Sequence, residues 1–107
     1  MLEVLYYLDQ TGDAPFAAWL ASLDPLARAK ITVVIERMQH GNLSDVKSVG
    51  GGVMERRIDW GPGYRIYFGR DGDTLIIVLA GGTKKRQQRD IENAQDRWTD
   101  YKRRKGH

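Results

Sequence analysis

A chain of 107 residues, 41% of them hydrophobic, is long enough for one domain with its own core and too apolar for wholesale disorder. The absence of cysteine excludes disulfides, thiolate metal sites and cysteine nucleophiles, and agrees with a reducing cytoplasm. The net charge of +3 is unevenly spread, with nine Lys/Arg against four Asp/Glu from Lys84 to His107 and eight against ten before it. A basic excess at the C-terminal end suits a polyanionic partner (nucleic acid, a membrane surface or an acidic protein), or else marks a solvated basic helix.

In chain order, Glu3 to Leu8 is a short apolar run that predicts a strand. The start has neither the charged n-region nor the long apolar stretch of a signal peptide, and no run approaches the ~18 residues of a membrane span. A protein of the cytoplasm is expected. Asp13 and Pro15 predict a helix start, with Phe16, Trp19, Leu20 and Leu23 as its apolar stripe. Asp24-Pro25 repeats the signal, and Ala27, Ile31, Val34, Ile35 and Met38 form a second stripe that Gly41 ends. Asn42 to Gly52 reads as a loop, its three closing glycines implying flexibility or a close backbone approach.

Three strands follow as a meander. Val53 to Trp60 leads into the Gly61-Pro62-Gly63 turn, Tyr64 to Arg70 into an Asp71-Gly72 hairpin signal, and Thr74 to Ala80 is an apolar run without alternation, as for a central strand buried on both faces. Ile91, Ala94, Trp98 and Tyr101 then draw a narrow apolar stripe on a charged C-terminal helix whose tail, Lys102 to Lys105, is expected to fray. The reading is a single α+β domain over residues 1–107: strand, two helices, a three-stranded antiparallel meander, helix.

Alternation decides which polar side chains meet. If Ile58 and Ile66 face the core, Glu55, Arg57, Arg65 and Tyr67 share the opposite face, with Lys84, Lys85 and Arg86 at its edge. Such a set could handle a phosphate, or could be a solvated sheet face with Glu55 paired to Arg57 or Arg65. His40 and His107 read as surface residues, Trp19 and Trp98 as core. Trp60 is placed to pack, or to stack on a base. Gly50 to Gly52 lacks the Lys and Ser/Thr of a phosphate loop.

The segments Gly50-Gly51-Gly52-Val53-Met54-Glu55-Arg56-Arg57-Ile58, Gly61-Pro62-Gly63-Tyr64-Arg65-Ile66-Tyr67, Leu79-Ala80-Gly81-Gly82-Thr83-Lys84-Lys85 and Gln88-Arg89-Asp90-Ile91 with Ala94 resemble the HigB-like branch of the RelE/ParE toxin superfamily. The resemblance spans nearly the whole chain and implies a RelE-like fold. It further implies the toxin of a type II toxin–antitoxin module: an endoribonuclease that cuts mRNA in the ribosomal A site without metal or cofactor and inhibits translation. The implied partners are the ribosome, mRNA and a cognate antitoxin, often a helix-turn-helix DNA-binding protein. By position the resemblance makes Arg57 and Arg65 phosphate clamps, Lys84 or Lys85 RNA contacts, and Asp90 or Tyr67 participants in proton transfer, while Arg56, Arg86 and Arg89 add to the RNA-binding charge. The basic helix and the open sheet face are expected to meet the antitoxin. Arg56 departs from the pattern, standing where the family often has an apolar residue. Without a histidine in the motif block, a histidine-based acid/base scheme is not expected. The same superfamily also holds ParE-like poisons of DNA gyrase, and a non-toxic binding module acting with an antitoxin is a third possibility.

Overall fold

The computed structural model describes residues 1–106, so His107 lies outside the described residues. The elements are β1 (Glu3–Tyr6), α1 (Pro15–Ala21), α2 (Pro25–Gln39), β2 (Val46–Gly50), β3 (Val53–Ile58), β4 (Tyr64–Asp71), β5 (Leu75–Thr83), a 3₁₀ turn (Lys84–Arg86) and α3 (Gln87–Lys105). They form one five-stranded sheet in the order β1-β5-β4-β3-β2, with β1 parallel to β5 and the other pairs antiparallel. The expected α+β architecture is present, compatible with a RelE-like fold.

Three expectations need correction, two of them at the glycine turn and the C-terminal tail and the third at the start of α1. Val46 to Gly50 is an edge strand rather than loop, and the glycine triplet is its turn into β3. Gly52 has φ +83°, and a Cβ there would stand 2.7 Å from Trp98 Nε1, so the turn needs both the left-handed backbone and the missing side chain to lie against α3. The C-terminal tail, expected to fray, is helical through Lys105, which pairs with Asp71 at 2.5 Å.

The caps divide. Asp24 caps α2 as expected, its carboxylate accepting from the Ala27 N–H at 3.0 Å. Asp13 does not cap α1. Ala14 holds that position without a side-chain bond, and Asp13 accepts from Thr11 Oγ1 instead.

Helices cover both faces of the sheet. On one face Phe16 of α1 and the α2 stripe pack on Ile58, Tyr64, Ile66, Phe68, Ile76 and Val78. On the other, Ala94 and Trp98 of α3 pack on Val53, Tyr67, Ile77, Leu79 and Ala80. Each buried Val, Leu, Ile or Phe among them contributes about 1.5–3 kcal/mol by burial. The register of β4 against β5 slips between Tyr67 and Phe68, opposite Leu79, so Leu79 and the next residue, Ala80, both face α3. Beyond this bulge the phase is reversed. Gly81 lies against Trp19 of α1, and Gly82 lies under α3. By order β4 holds the middle of the sheet, with β5 beside it.

Candidate functional site

Cross-strand register sets two rows of side chains on the α3 face. Lys47, Glu55, Tyr67 and Ala80 stand opposite one another across β2 to β5, and Arg57, Arg65 and Gly82 form the next row toward the Gly61-Pro62-Gly63 turn. Glu55, Arg57, Arg65 and Tyr67 therefore share a face, as alternation predicts. That face is not the open, solvated surface expected. The first turns of α3 cover it, leaving Glu55 and Tyr67 fully buried and Arg65 only 3% exposed.

Burying those charges demands partners. Glu55 Oε2 accepts from Gln87 Nε2 at 2.8 Å and pairs with Arg65 Nε at 3.8 Å, and Glu55 Oε1 lies 3.8 Å from the Lys47 ammonium. The compensation is incomplete, because Glu55 Oε1, Arg65 Nε and the Tyr67 hydroxyl complete no hydrogen bond among the described residues. Burial, and next the Glu55 carboxylate, push the Tyr67 hydroxyl far above its ordinary range. A hydroxyl held that high stays protonated near neutral pH, which suits a proton donor better than a base.

Asp90 sits on α3 above the second row. Gly82 makes this possible, because a Cβ there would overlap the Asp90 carboxylate. Partial burial raises the Asp90 carboxyl above its ordinary value, against the opposing pull of Arg86, Arg97 and Arg89.

The exposed cations gather at the same end of the sheet. Arg57 ends the second row with its side chain exposed. Lys84, Lys85 and Arg86 are exposed on the 3₁₀ turn, which is tied to the β3–β4 turn by the Lys84 N–H donating to the Gly63 carbonyl at 3.0 Å. Arg89 is exposed in the first turn of α3. None of these five makes an ion pair within 4 Å among the described residues. Arg56 is separate. It points to the α2 face, pairs with Asp45 at 3.7 Å and donates to the Arg57 carbonyl.

Of the residues singled out from sequence, the structure thus brings together Arg57, Lys84, Lys85, Arg86, Arg89 and Asp90 at one surface. Arg65 and Tyr67 lie in the floor beneath it, and Arg56 lies elsewhere. Sequence reasoning missed Gln87 and Gly82. Neither carries a periodic or charge signal, and only the crossing of α3 over β5 gives them a role. Trp60 packs, its ring stacked on Tyr64 at 6.2 Å. His40 is exposed at the end of α2. Among the described residues no three His, Cys, Asp or Glu side chains are grouped to hold a metal, and no helix is long and apolar enough to cross a membrane.

Residues 18–99 match the family described as Phage derived protein Gp49-like (DUF891). An uncharacterized protein of Haemophilus influenzae (strain ATCC 51907 / DSM 11121 / KW20 / Rd) is 48% identical over 80 residues, which are 74% of this chain and 81% of the relative. With the α+β architecture already described, these likenesses mean that the chain belongs to the Gp49-like family of phage-derived proteins, a toxin-type family associated with toxin–antitoxin modules.

Proposed function

We propose that this protein is a HigB-like toxin, held inactive by its antitoxin, that cleaves mRNA on the ribosome and so stops translation. The observation that carries this reading is the group of five exposed cations, Arg57, Lys84, Lys85, Arg86 and Arg89, none in an ion pair within 4 Å among the described residues, at the end of the sheet where the partly buried Asp90 carboxylate lies over Gly82. A merely solvated basic face has no need of a partly buried carboxylate in its midst.

In this reading Asp90 takes the proton of a ribose 2′-hydroxyl. The freed oxygen attacks the adjacent phosphorus, the bond from phosphorus to the 5′-oxygen breaks, and Lys84 returns a proton to the leaving oxygen. The products are a 2′,3′-cyclic phosphate and a 5′-hydroxyl, with no metal required by the proton balance. Arg57 binds the phosphate, since a guanidinium is always charged and matches phosphate in two-point contact. The negative charge that grows in the transition state falls beside it. Lys85, Arg86 and Arg89 hold flanking phosphates. Arg65 and Tyr67, buried with Glu55, act as positioning residues that fix the strand ends from which Arg57 and the 3₁₀ turn project.

The test is mapping of mRNA 5′ ends in cells after induction, with Arg57→Ala and Asp90→Asn as controls. Cuts within translated frames that both controls abolish are expected. Growth arrest without cuts would sink the nuclease reading and favour a bound target such as gyrase.

A further inference from the structure

The two edges of the sheet are guarded differently. β2 carries Lys47 and Ser48 and a break of register between Ser48 and Gly50, features that discourage another strand from pairing there. β1, at the other edge, pairs with β5 without a break and shows Leu5 and Leu8 to solvent, 46% and 51% exposed. Apolar hollows flank it on both faces. On the α3 face one of about 360 Å³ lies among Leu5, Tyr7, Ile77, Tyr101, Arg104 and Lys105. On the α2 face one of about 500 Å³ takes in Val4, Tyr6, Ala14 and Ile35. Leu5 and Leu8 border both. An edge strand between two hollows fits an extended chain, whose alternating side chains enter both, whereas a helix would fill one.

The strand that fits is β1 itself. Glu3 and Tyr7 turn their amides to β5, donating to the Thr74 and Val78 carbonyls at 2.7 and 2.9 Å, so by alternation Val4 and Tyr6 turn theirs outward. The Leu2 N–H donates to the Gln39 carbonyl and the Leu8 carbonyl accepts from Arg104 Nη2, which leaves Val4 to Tyr6 as the open stretch. When two copies run antiparallel and centred on Leu5, Val4 of each stands opposite Tyr6 of the other, and each such pair exchanges two hydrogen bonds. Leu5 then meets its own copy on the axis, and Glu3 stands opposite Tyr7 of the second copy. The Arg104 guanidinium lies over that Tyr7 ring, 5.4 Å from its centroid. Glu3 is exposed and in no ion pair within 4 Å among the described residues, and the Arg104 side chain is 40% exposed. Each copy therefore offers a carboxylate where the other offers a guanidinium, as an isologous two-fold contact requires.

We propose that the chain self-associates through β1, two copies pairing antiparallel about Leu5 so that their sheets continue as one, with Glu3 of each copy set beside Arg104 of the other. The contact leaves the cation group around Asp90 out of the interface and does not rest on the function proposed above.

The test is sedimentation of the whole chain as its concentration is raised, joined to cross-linking. A concentration-dependent dimer is expected. Glu3→Arg and Arg104→Glu should each weaken it about tenfold or more, since like charges set face to face are strongly penalised. Mixing these two variants should restore association, because each residue then meets the opposite charge. The chain has no cysteine of its own, so Leu5→Cys can form only a disulfide between copies. The Cα atoms of such a facing pair stand about 4.5 Å apart, within disulfide reach, so Leu5→Cys should cross-link readily and Leu8→Cys slowly. A monomer at every concentration, faster cross-linking of Leu8→Cys, or no recovery on mixing would each overturn the proposal. So would protection of the Val4 and Tyr6 amides from hydrogen exchange only when an extended peptide of another protein is added, which would assign the edge to a different partner.

Discussion

The two ends of α3 carry charge in opposite ways. At the C-terminal end nearly every group has a partner. Asp100 accepts from the Tyr7 hydroxyl at 2.6 Å and pairs with Arg103 at 2.5 Å and Arg104 at 2.8 Å, while Asp71 in the hairpin turn accepts from Tyr101 at 2.7 Å and Lys105 at 2.5 Å. At the N-terminal end Lys84, Lys85, Arg86 and Arg89 stand without ion-pair partners within 4 Å among the described residues, over a floor that holds unsatisfied polar atoms. The basic excess seen in composition is therefore two different things. One part staples the helix to the turns at Asp71 and Leu8, and the other is left open to a ligand. A charge count sees no difference between them; pairing does.

The contrast can be broken at several points. Trp98→Ala should have the largest effect, about 3–5 kcal/mol in urea unfolding, because it removes the buried ring that anchors α3 on the sheet beneath the Gly52 turn. Arg65→Ala follows, at about 3 kcal/mol, since it leaves the buried Glu55 carboxylate with only Gln87 and a distant lysine. An intact wild-type melting curve for that variant would mean that the floor is hydrated rather than ionically held.

Acid unfolding should sharpen the comparison, because the two ends have opposite signs. The Tyr7 hydrogen bond holds the Asp100 carboxyl below its usual range, as the Lys105 bond does for Asp71. A carboxyl lowered on folding stabilises above its unfolded value, near pH ~4, and that contribution disappears as pH falls through the folded value. Asp100→Asn should therefore cost stability at pH 7, with the difference from wild type closing in acid. Asp90 is raised by burial, so its ionisation opposes folding above the folded value and is without effect once both states are protonated. Asp90→Asn should thus gain stability at pH 7, a gain that vanishes below about pH 4. Curves of the same sign for both variants would contradict the distinction. The smallest stability change belongs to Arg57→Ala, within about 0.5 kcal/mol by thermal melting, because its side chain is exposed. Its loss of mRNA cleavage should nevertheless be complete.

Much of this was legible in the sequence where local chemistry repeats. Asp24, Pro25 and the stripe from Ala27 to Met38 specify α2 with start, phase and buried face in agreement. Alternation likewise placed Glu55, Arg57, Arg65 and Tyr67 on one side. Pattern within a strand says which side chains are neighbours, but not what lies over them, so the α3 cover and the bond from Gln87 to Glu55 stayed hidden. Val46 to Gly50 escaped because a five-residue edge strand with Lys47 and Ser48 in it looks like a polar loop. The apolar run of β5 concealed its bulge, because Leu79 and Ala80 are apolar in either phase. Arg56 was legible as an oddity, and on the α2 face it finds Asp45 and the Arg57 carbonyl as partners while its Nε is left without one.

The parallel pairing of β1 with β5 has a consequence for the order of synthesis. Glu3 to Tyr6 find their register only on Leu75 to Val78. β1 thus has no place in the sheet until the chain has been made through Val78. The cover over Glu55, Arg65 and Tyr67 comes later still, with α3. A nascent chain can close its hairpins early, since β2 to β5 are sequential neighbours, but its β1 edge waits for β5 and its polar floor waits for α3.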